Sequence, residues 1–373
     1  MKFSLDKETF ENALAPISVI AQSKASDSKL SGIYLETVGN ELTLYCYDME
    51  KGIKITVDAN VESEGSVVAD TQIVQIVHAM PQGDVTVDVN ENLIVTLSCC
   101  DAEFQLSGKD GSDYPKIPEL KGHTPFVLQK KQLKNVISKT MFAICRDDSK
   151  PVLKGSFFEI KDNILTVSAI DGFRIAVRKE KSAADNTDVD ISFIIPGRVQ
   201  QSLLRILNDG DDDIQMELGS KHIIMKIDEM HFVIRLIEGE FPKYERYIPQ
   251  YSTTSIVDRN ALIDSLERIA IVNDKLKGSA KLSFKERMLR LSCQTDEGKV
   301  NDMLPVVTEG SDIDVLYNQN YLLEALRACD NDSVYLRIAE GGRGTVICAT
   351  PHDAKENEDS EYLYLVMPIR SRG

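Results

Sequence analysis

Five histidines, seven cysteines and one dense run of aspartates are the residues of this 373-residue chain that could carry catalysis or hold a metal. His78, His123, His222, His231 and His352 form no His-x-x-x-His pair and no cluster with cysteine, so they lack the ligand spacing of a zinc site. His78 lies in an apolar stretch and reads as structural. No Gly-x-x-x-x-Gly-Lys-Ser/Thr loop offers amides to a nucleotide phosphate, and no Gly-x-Ser-x-Gly elbow offers a nucleophile. Asp209-Gly210-Asp211-Asp212-Asp213 could gather a divalent cation, but its spacing misses the calcium-loop pattern and suits an acidic hairpin turn better. Cys99 and Cys100 are adjacent, which predicts opposite faces of one strand rather than a bond. An odd cysteine count without Cys-x-x-Cys fits a reducing compartment. No catalytic residues, metal or cofactor are expected.

The elements around these residues repeat. Phe10, Leu14, Leu42-Thr43-Leu44 and Asp48 in the first third are matched by Leu133, Ile137, Leu165-Thr166-Val167 and Asp171, all displaced by 123 positions. Leu262, Leu266, Leu289-Arg290-Leu291 and nearby Asp296 make a third copy. Recurrence of one spacing marks a repeated supersecondary unit, and the three aspartates then suggest a shared turn rather than an active site. A second helix follows in each copy: Thr71 to Met80, stopped by Pro81; Pro196 to about Asn208; and Asn320 to Cys329. Alternating strands come next, at Val85–Val89, Ile214–Leu218 and Val334–Ile338, with turn signals at Gly39-Asn40, Asp209-Gly210 and Gly341-Gly342. The expected fold class is α+β, with three tandem units of two helices on antiparallel sheet, at 1–122, 123–252 and 253–373.

Net charge is −16, which argues against a nucleic-acid binder until its distribution is considered. The first 122 residues hold nine Lys, no Arg and twenty acids, whereas residues 123–252 balance nineteen of each sign. Helical projection sets Leu133, Val136, Ile137, Thr140 and Ile144 inward, with Lys131, Asn135, Ser138 and Lys139 opposite and Lys130 and Lys134 flanking. From Pro196 onward, Val199, Leu203, Ile206 and Leu207 face inward, and Arg198, Gln201, Ser202 and Arg205 outward. Arg259, Arg268 and Arg327 lie on helices of the third copy. Such helix faces are either plain solvated surface or phosphate-contacting surface. Their recurrence, without stacking aromatics or a recognition helix, favours sequence-independent contact with duplex DNA. A metal-dependent nuclease and a sequence-specific repressor are the alternatives. The first would cut DNA with Mg²⁺ or Mn²⁺ and the second would prefer one sequence.

Three stretches carry a family resemblance: Ser168-Ala169-Ile170-Asp171-Gly172-Phe173-Arg174-Ile175-Ala176, Glu238-Gly239-Glu240-Phe241-Pro242-Lys243-Tyr244, and Val366-Met367-Pro368-Ile369-Arg370. Together with Asn320-Tyr321-Leu322-Leu323-Glu324-Ala325-Leu326, and in this order, they resemble the bacterial sliding clamps, the β subunit of DNA polymerase III, over the whole chain. The resemblance implies two head-to-tail protomers forming a six-domain ring, with helices lining the hole and sheets outside. An acidic exterior and a basic lining would then reconcile the net charge with DNA binding.

The resemblance further implies a pocket for short hydrophobic peptides made by Leu153, Ile170, Gly172, Phe173, Arg174, Ile175, Pro242, Tyr247, Asn318, Tyr321, Leu365, Val366, Met367, Pro368, Ile369 and Arg370. Ile170 and Tyr247 replace a common Thr and a smaller aliphatic, making the pocket greasier or tighter, and Ser371-Arg372-Gly373 extend past the usual end. The subunit contact would join Phe104 and Leu106 to Ile271 and Val272. DNA-facing bases would be Lys24, Lys131, Lys134, Lys139, Arg198, Arg205, Arg246, Arg259 and Arg268. Implied partners are double-stranded DNA without sequence preference, the replicative DNA polymerase, a clamp-loader ATPase, and other polymerases and repair or ligation proteins carrying clamp-binding motifs. No apolar run spans a bilayer and no signal peptide opens the chain, so no membrane partner and a cytoplasmic location are expected.

Overall fold

The structure is a computed structural model that describes residues 1–21, 31–118, 122–272, 278–296, 298–348 and 360–369. The chain divides into two compact units. One contains Met1–Lys131 with Arg198–Leu236, and the other contains Gln132–Gly197 with Ile237–Gly373. The division passes through the middle third of the chain, so each unit holds one outer third and part of the central one.

The first unit is built on a thirteen-stranded antiparallel sheet that runs from Thr124–Gln129 at one edge to Asn60–Ser63 at the other. Helix α1 (Lys7–Ala21) lies on it and buries Phe10, Ala13, Leu14, Ile17 and Ile20, a three-and-four spacing that keeps one stripe inward. Asp6 accepts a hydrogen bond from the Thr9 amide (3.2 Å) and caps its start. Helix α2 (Ile73–Ala79) is shorter than the sequence suggests and ends at Met80, whose successor Pro81 cannot continue it.

The second unit holds a nine-stranded and a four-stranded antiparallel sheet. Helix α3 (Lys130–Thr140) contributes buried Leu133, Val136, Ile137 and Thr140 to it. Ile144 falls beyond the helix, after a 3-10 turn at Met141–Ala143. Helix α4 (Gly197–Ile206), which from Arg198 onward belongs to the first unit, begins directly after Pro196, which ends a strand instead of opening the helix. Helix α5 (Arg259–Val272) buries Leu262, Leu266 and Ile269, and Asp258 caps it through the Ala261 amide (2.7 Å). Helix α6 (Gln319–Ala328) is capped by Asn318, which accepts from the Asn320 amide (3.0 Å).

The recurring aspartates make one type of turn. Asp48 Oδ1 accepts from the amides of Glu50 (3.0 Å) and Lys51 (2.8 Å), and Asp171 Oδ1 accepts from Phe173 (2.8 Å) and Arg174 (3.0 Å). Each carboxylate also faces the base three residues on. In the third copy the equivalent backbone bond runs from Thr295 to Gly298 (2.9 Å), as from Asp48 to Lys51 (3.0 Å), so Thr295 rather than Asp296 holds the place. These turns lead into the strands on which each unit is joined: Lys51–Asp58 pairs with Met230–Arg235, and Arg174–Lys181 with Ser360–Val366.

Several sequence expectations change. Residues 209–212 connect a helix to the strand that Asp213 opens and are not a hairpin turn; Asp212, with Asp228, holds Lys130. Lys130 is therefore buried rather than flanking. Burial disfavours its charge, but the two carboxylates outweigh that and raise its pKa. Ser202 is also buried, because its hydroxyl accepts from Lys51 Nζ (2.9 Å). Among the described residues no group of three or more His, Cys, Asp and Glu side chains could hold a metal, and no helix is long and apolar enough to cross a membrane.

Candidate functional site

In the second unit, antiparallel pairing sets four aliphatic side chains in one row. Ile170 lies opposite Ile175, Ile175 opposite Leu365, and Leu365 opposite Val346. All four are buried. Leu153, Tyr244 and Tyr251 pack around the row and are themselves only half-buried, so partly exposed side chains border it. Leu153 comes from the 3-10 turn Pro151–Lys154, while half-buried Pro242 and exposed Tyr247 belong to the segment around Tyr244–Tyr247. Period-two alternation sends Val366 to the other face. Its side chain is fully buried in the core shared by Ala176 and Tyr364. Val366, expected in the pocket, can thus offer a ligand only its backbone.

Beyond the strand, the Met367 amide donates to Phe173 O (2.8 Å) and the Ile369 amide to Leu316 O (2.7 Å), which fixes the terminal segment on both sides. Met367 is exposed, and with Pro368 and Ile369 it lines a cavity of about 730 Å³ whose lining also includes Lys281, Asp314 and Arg343. A Cβ on Gly344 would stand 3.2 Å from Leu365 and 3.7 Å from the Met367 sulfur, so the glycine leaves room for both side chains.

Arg174 is the rigid corner of this region. Its Nε donates to Asp171 (2.9 Å), a guanidinium nitrogen bonds Glu324, and its plane lies 4.3 Å from the Tyr321 ring centroid and 5.4 Å from that of Phe142. Gly172 has φ +94°, a conformation that L side chains rarely adopt. The turn lifts Phe173 into solvent, where its ring lies 6.3 Å from Tyr321. Asp171 and Glu324 were not among the expected site residues. Asp171 was legible only as a turn residue, and nothing local pairs Glu324 with a base 150 positions away. Arg370 and the 371–373 tail lie outside the described residues.

The expected contact residues sit at open sheet edges. In the first unit, strand Ala102–Asp110 pairs on one side along Ala102–Ser107, and on its other side only through Gly108–Asp110. The stretch carrying exposed Phe104 and half-buried Leu106 thus has an edge unpaired among the described residues. In the second unit, Lys299–Pro305 is an edge strand. Ile271 beside it at the end of α5 is 83% exposed, and Val272 is half-buried.

The candidate DNA-facing bases separate into two groups. In the first unit Arg198 and Arg205 are exposed with no ion pair among the described residues, and Lys131 has one loose pair, to Asp211 (3.7 Å). In the second unit Arg246 is exposed and Lys134 is half-buried. Lys139, Arg259 and Arg268 are already engaged: Lys139 with Asp330 (3.0 Å), Arg259 with the Cys329 carbonyl (2.8 Å), and Arg268 with Asp302 (2.7 Å). Each spends part of its donor capacity on these partners and has less left for a phosphate. Lys24 lies outside the described residues.

A repeated α+β framework that carries a bordered apolar row, open strand edges and exposed cations is the surface of a binding module. Family models of the DNA polymerase III beta subunit match the whole length in order, the N-terminal domain at residues 1–118, the central domain at 127–243 and the C-terminal domain at 245–370. The beta sliding clamp of Staphylococcus epidermidis is 29% identical over 384 residues, covering 100% of both chains. A structure from Eubacterium rectale assigned to the same subunit superposes with a TM-score of 0.92 at 26% identity, covering 99% of each chain. The Bacillus subtilis DNA polymerase sliding clamp gives 0.92 at 24% identity, over 100% of this chain and 99% of that one. The chain belongs to the DNA polymerase III beta subunit family, the bacterial sliding clamps, and is a non-catalytic processivity subunit of three tandem clamp domains.

Proposed function

We propose that two copies of this chain close head to tail into a ring around duplex DNA, with domains meeting near Gly122 and Tyr251. Phe104 and Leu106 of one copy would meet Ile271 and Val272 of the other. The observation that carries this reading is the pairing of needs: each unit has an open strand edge flanked by apolar side chains in solvent, at Ala102–Ser107 and at Lys299–Pro305. Such edges invite a further strand, and a head-to-tail contact made twice closes the assembly. Arg198, Arg205, Lys131, Lys134 and Arg246 would supply phosphate contacts without base readout. Lys24, Lys139, Arg259 and Arg268 would be secondary.

The groove floored by Ile170, Ile175 and Leu365 and rimmed by Leu153, Phe173, Arg174, Pro242, Tyr247, Tyr321, Met367, Pro368 and Ile369 would take short hydrophobic segments of partners. Gly172 and Asn318 would shape its turns and Val366 its backbone edge, and the family resemblance adds Arg370. The replicative polymerase would dock there, as would the clamp loader, other polymerases, and repair and ligation proteins, all in the cytoplasm. Light scattering combined with projection imaging tests the assembly. Twice the 41.6 kDa chain mass with a central hole is expected, and a monomer or an open filament would refute it.

A further inference from the structure

The adjacent cysteines do not take opposite faces of a strand. Cys99 ends strand Ile94–Cys99, and Cys100 occupies the turn before Ala102 with φ +51°. That left-handed conformation is uncommon for a residue with a side chain and breaks the alternation. Both thiols turn toward the same place. A Cβ built on Gly83 would lie 3.5 Å from the Cys99 sulfur and 3.8 Å from the Cys100 sulfur. They reach successive carbonyls of that segment, Cys99 donating to Pro81 O (3.4 Å) and Cys100 to Gln82 O (3.9 Å). Burial first, then hydrogen bonding to Cys100, raises the Cys99 pKa. Cys100 is exposed, whereas the other six cysteines are buried.

We propose that Cys99 and Cys100 form a vicinal dithiol site that binds trivalent organic arsenicals, and electrophiles of that soft class, through both sulfurs. Exposed Cys100 makes the first bond, and Cys99, directly before it in the chain, closes the chelate. The positive φ at Cys100 and the missing side chain at Gly83 keep the two sulfurs on one side and the space before them open. With an arylarsine oxide, two As–S bonds form and the As=O oxygen leaves as water carrying both thiol protons. No oxidation state changes and no further reactant is needed.

The test is titration of the reduced full-length protein with phenylarsine oxide, followed by intact-mass analysis. One adduct per chain is expected, stable to excess 2-mercaptoethanol and released by 2,3-dimercaptopropanol. Loss of either thiol removes the intramolecular second bond, so Cys100→Ser and Cys99→Ser should each weaken retention about a hundredfold or more, while Cys46→Ser should not change it. Because Cys100 is exposed, its replacement reads the chelate without disturbing the core. An adduct kept by the Cys100→Ser variant, or a wild-type adduct lost to the monothiol, overturns the assignment.

Discussion

Replacing Ile271 with glutamate should convert the ring to monomers without unfolding the chain. Ile271 is 83% exposed at the end of α5, so its substitution removes little native packing within one chain. Covering an isoleucine fully is worth roughly 1.5–3 kcal/mol, at about 25 cal/mol per Å² of apolar surface. A closed two-chain ring contains the contact twice, so the loss acts twice, at about 3–6 kcal/mol. At about 1.4 kcal/mol per decade the dimer dissociation constant should rise roughly a hundredfold to ten-thousandfold. A carboxylate facing the apolar strand of the partner adds a desolvation cost and pushes toward the upper end. Sedimentation of wild type and Ile271→Glu over the same dilution series reads the shift, and thermal unfolding checks the fold. A dissociation constant within tenfold of wild type, with the fold intact, would refute the assignment of this surface to ring closure.

Met367→Ala should cost about 1–3 kcal/mol of affinity for a hydrophobic polymerase-derived peptide through lost apolar burial. Ring mass should be unchanged, and calorimetric titration checks both statements. Arg198→Ala with Arg205→Ala should weaken binding to short duplexes at low salt and reduce the slope of log K against log salt by up to about 0.9 per arginine. An unchanged slope would show that neither meets phosphate. Burial works against the Asp330 carboxylate, but Arg178 and Lys139 outweigh it and hold its pKa below the usual range. With the folded pKa lowered, its stabilisation is complete above the unfolded value of about 3.9 and is lost as pH falls through the folded one. The stability difference between wild type and Asp330→Asn should therefore be constant near neutrality and shrink below about pH 4. A gap that persists unchanged to acid pH in denaturant titrations contradicts this.

Periodicity carried the helices and strands because it is a local property. Phe10 and Leu133, Leu14 and Ile137, and Leu42 and Leu165 share one offset and sit buried in corresponding elements. What escaped is long-range. Helical projection turns Ser202 outward, but Lys51, 151 positions earlier, needs a partner inside the sheet and draws it in. Lys130 is likewise held by Asp212 and Asp228, which arrive from distant turns. Pairing of Lys51–Asp58 with Met230–Arg235 joins the first third to the second half of the middle third, a connection no local pattern announces. At the groove, Ile170, Ile175 and Leu365 came from motif resemblance, and their one-row geometry follows from strand register. The same alternation could have removed Val366 from the set. Cys100 was misread because a positive φ at a non-glycine turn residue leaves no composition signal.

Encirclement is tested most directly by retention on DNA of different topology. The protein, loaded by a family clamp loader onto nicked circular duplex, is moved into high salt, and the amount still bound is followed before and after the circle is cut once. Counterion release weakens direct phosphate contact as salt rises, whereas a closed ring on a circle can leave only by opening. The protein should therefore stay on the circle in high salt and leave promptly once the DNA has ends. Equal retention on circular and linear DNA under those conditions would contradict the ring.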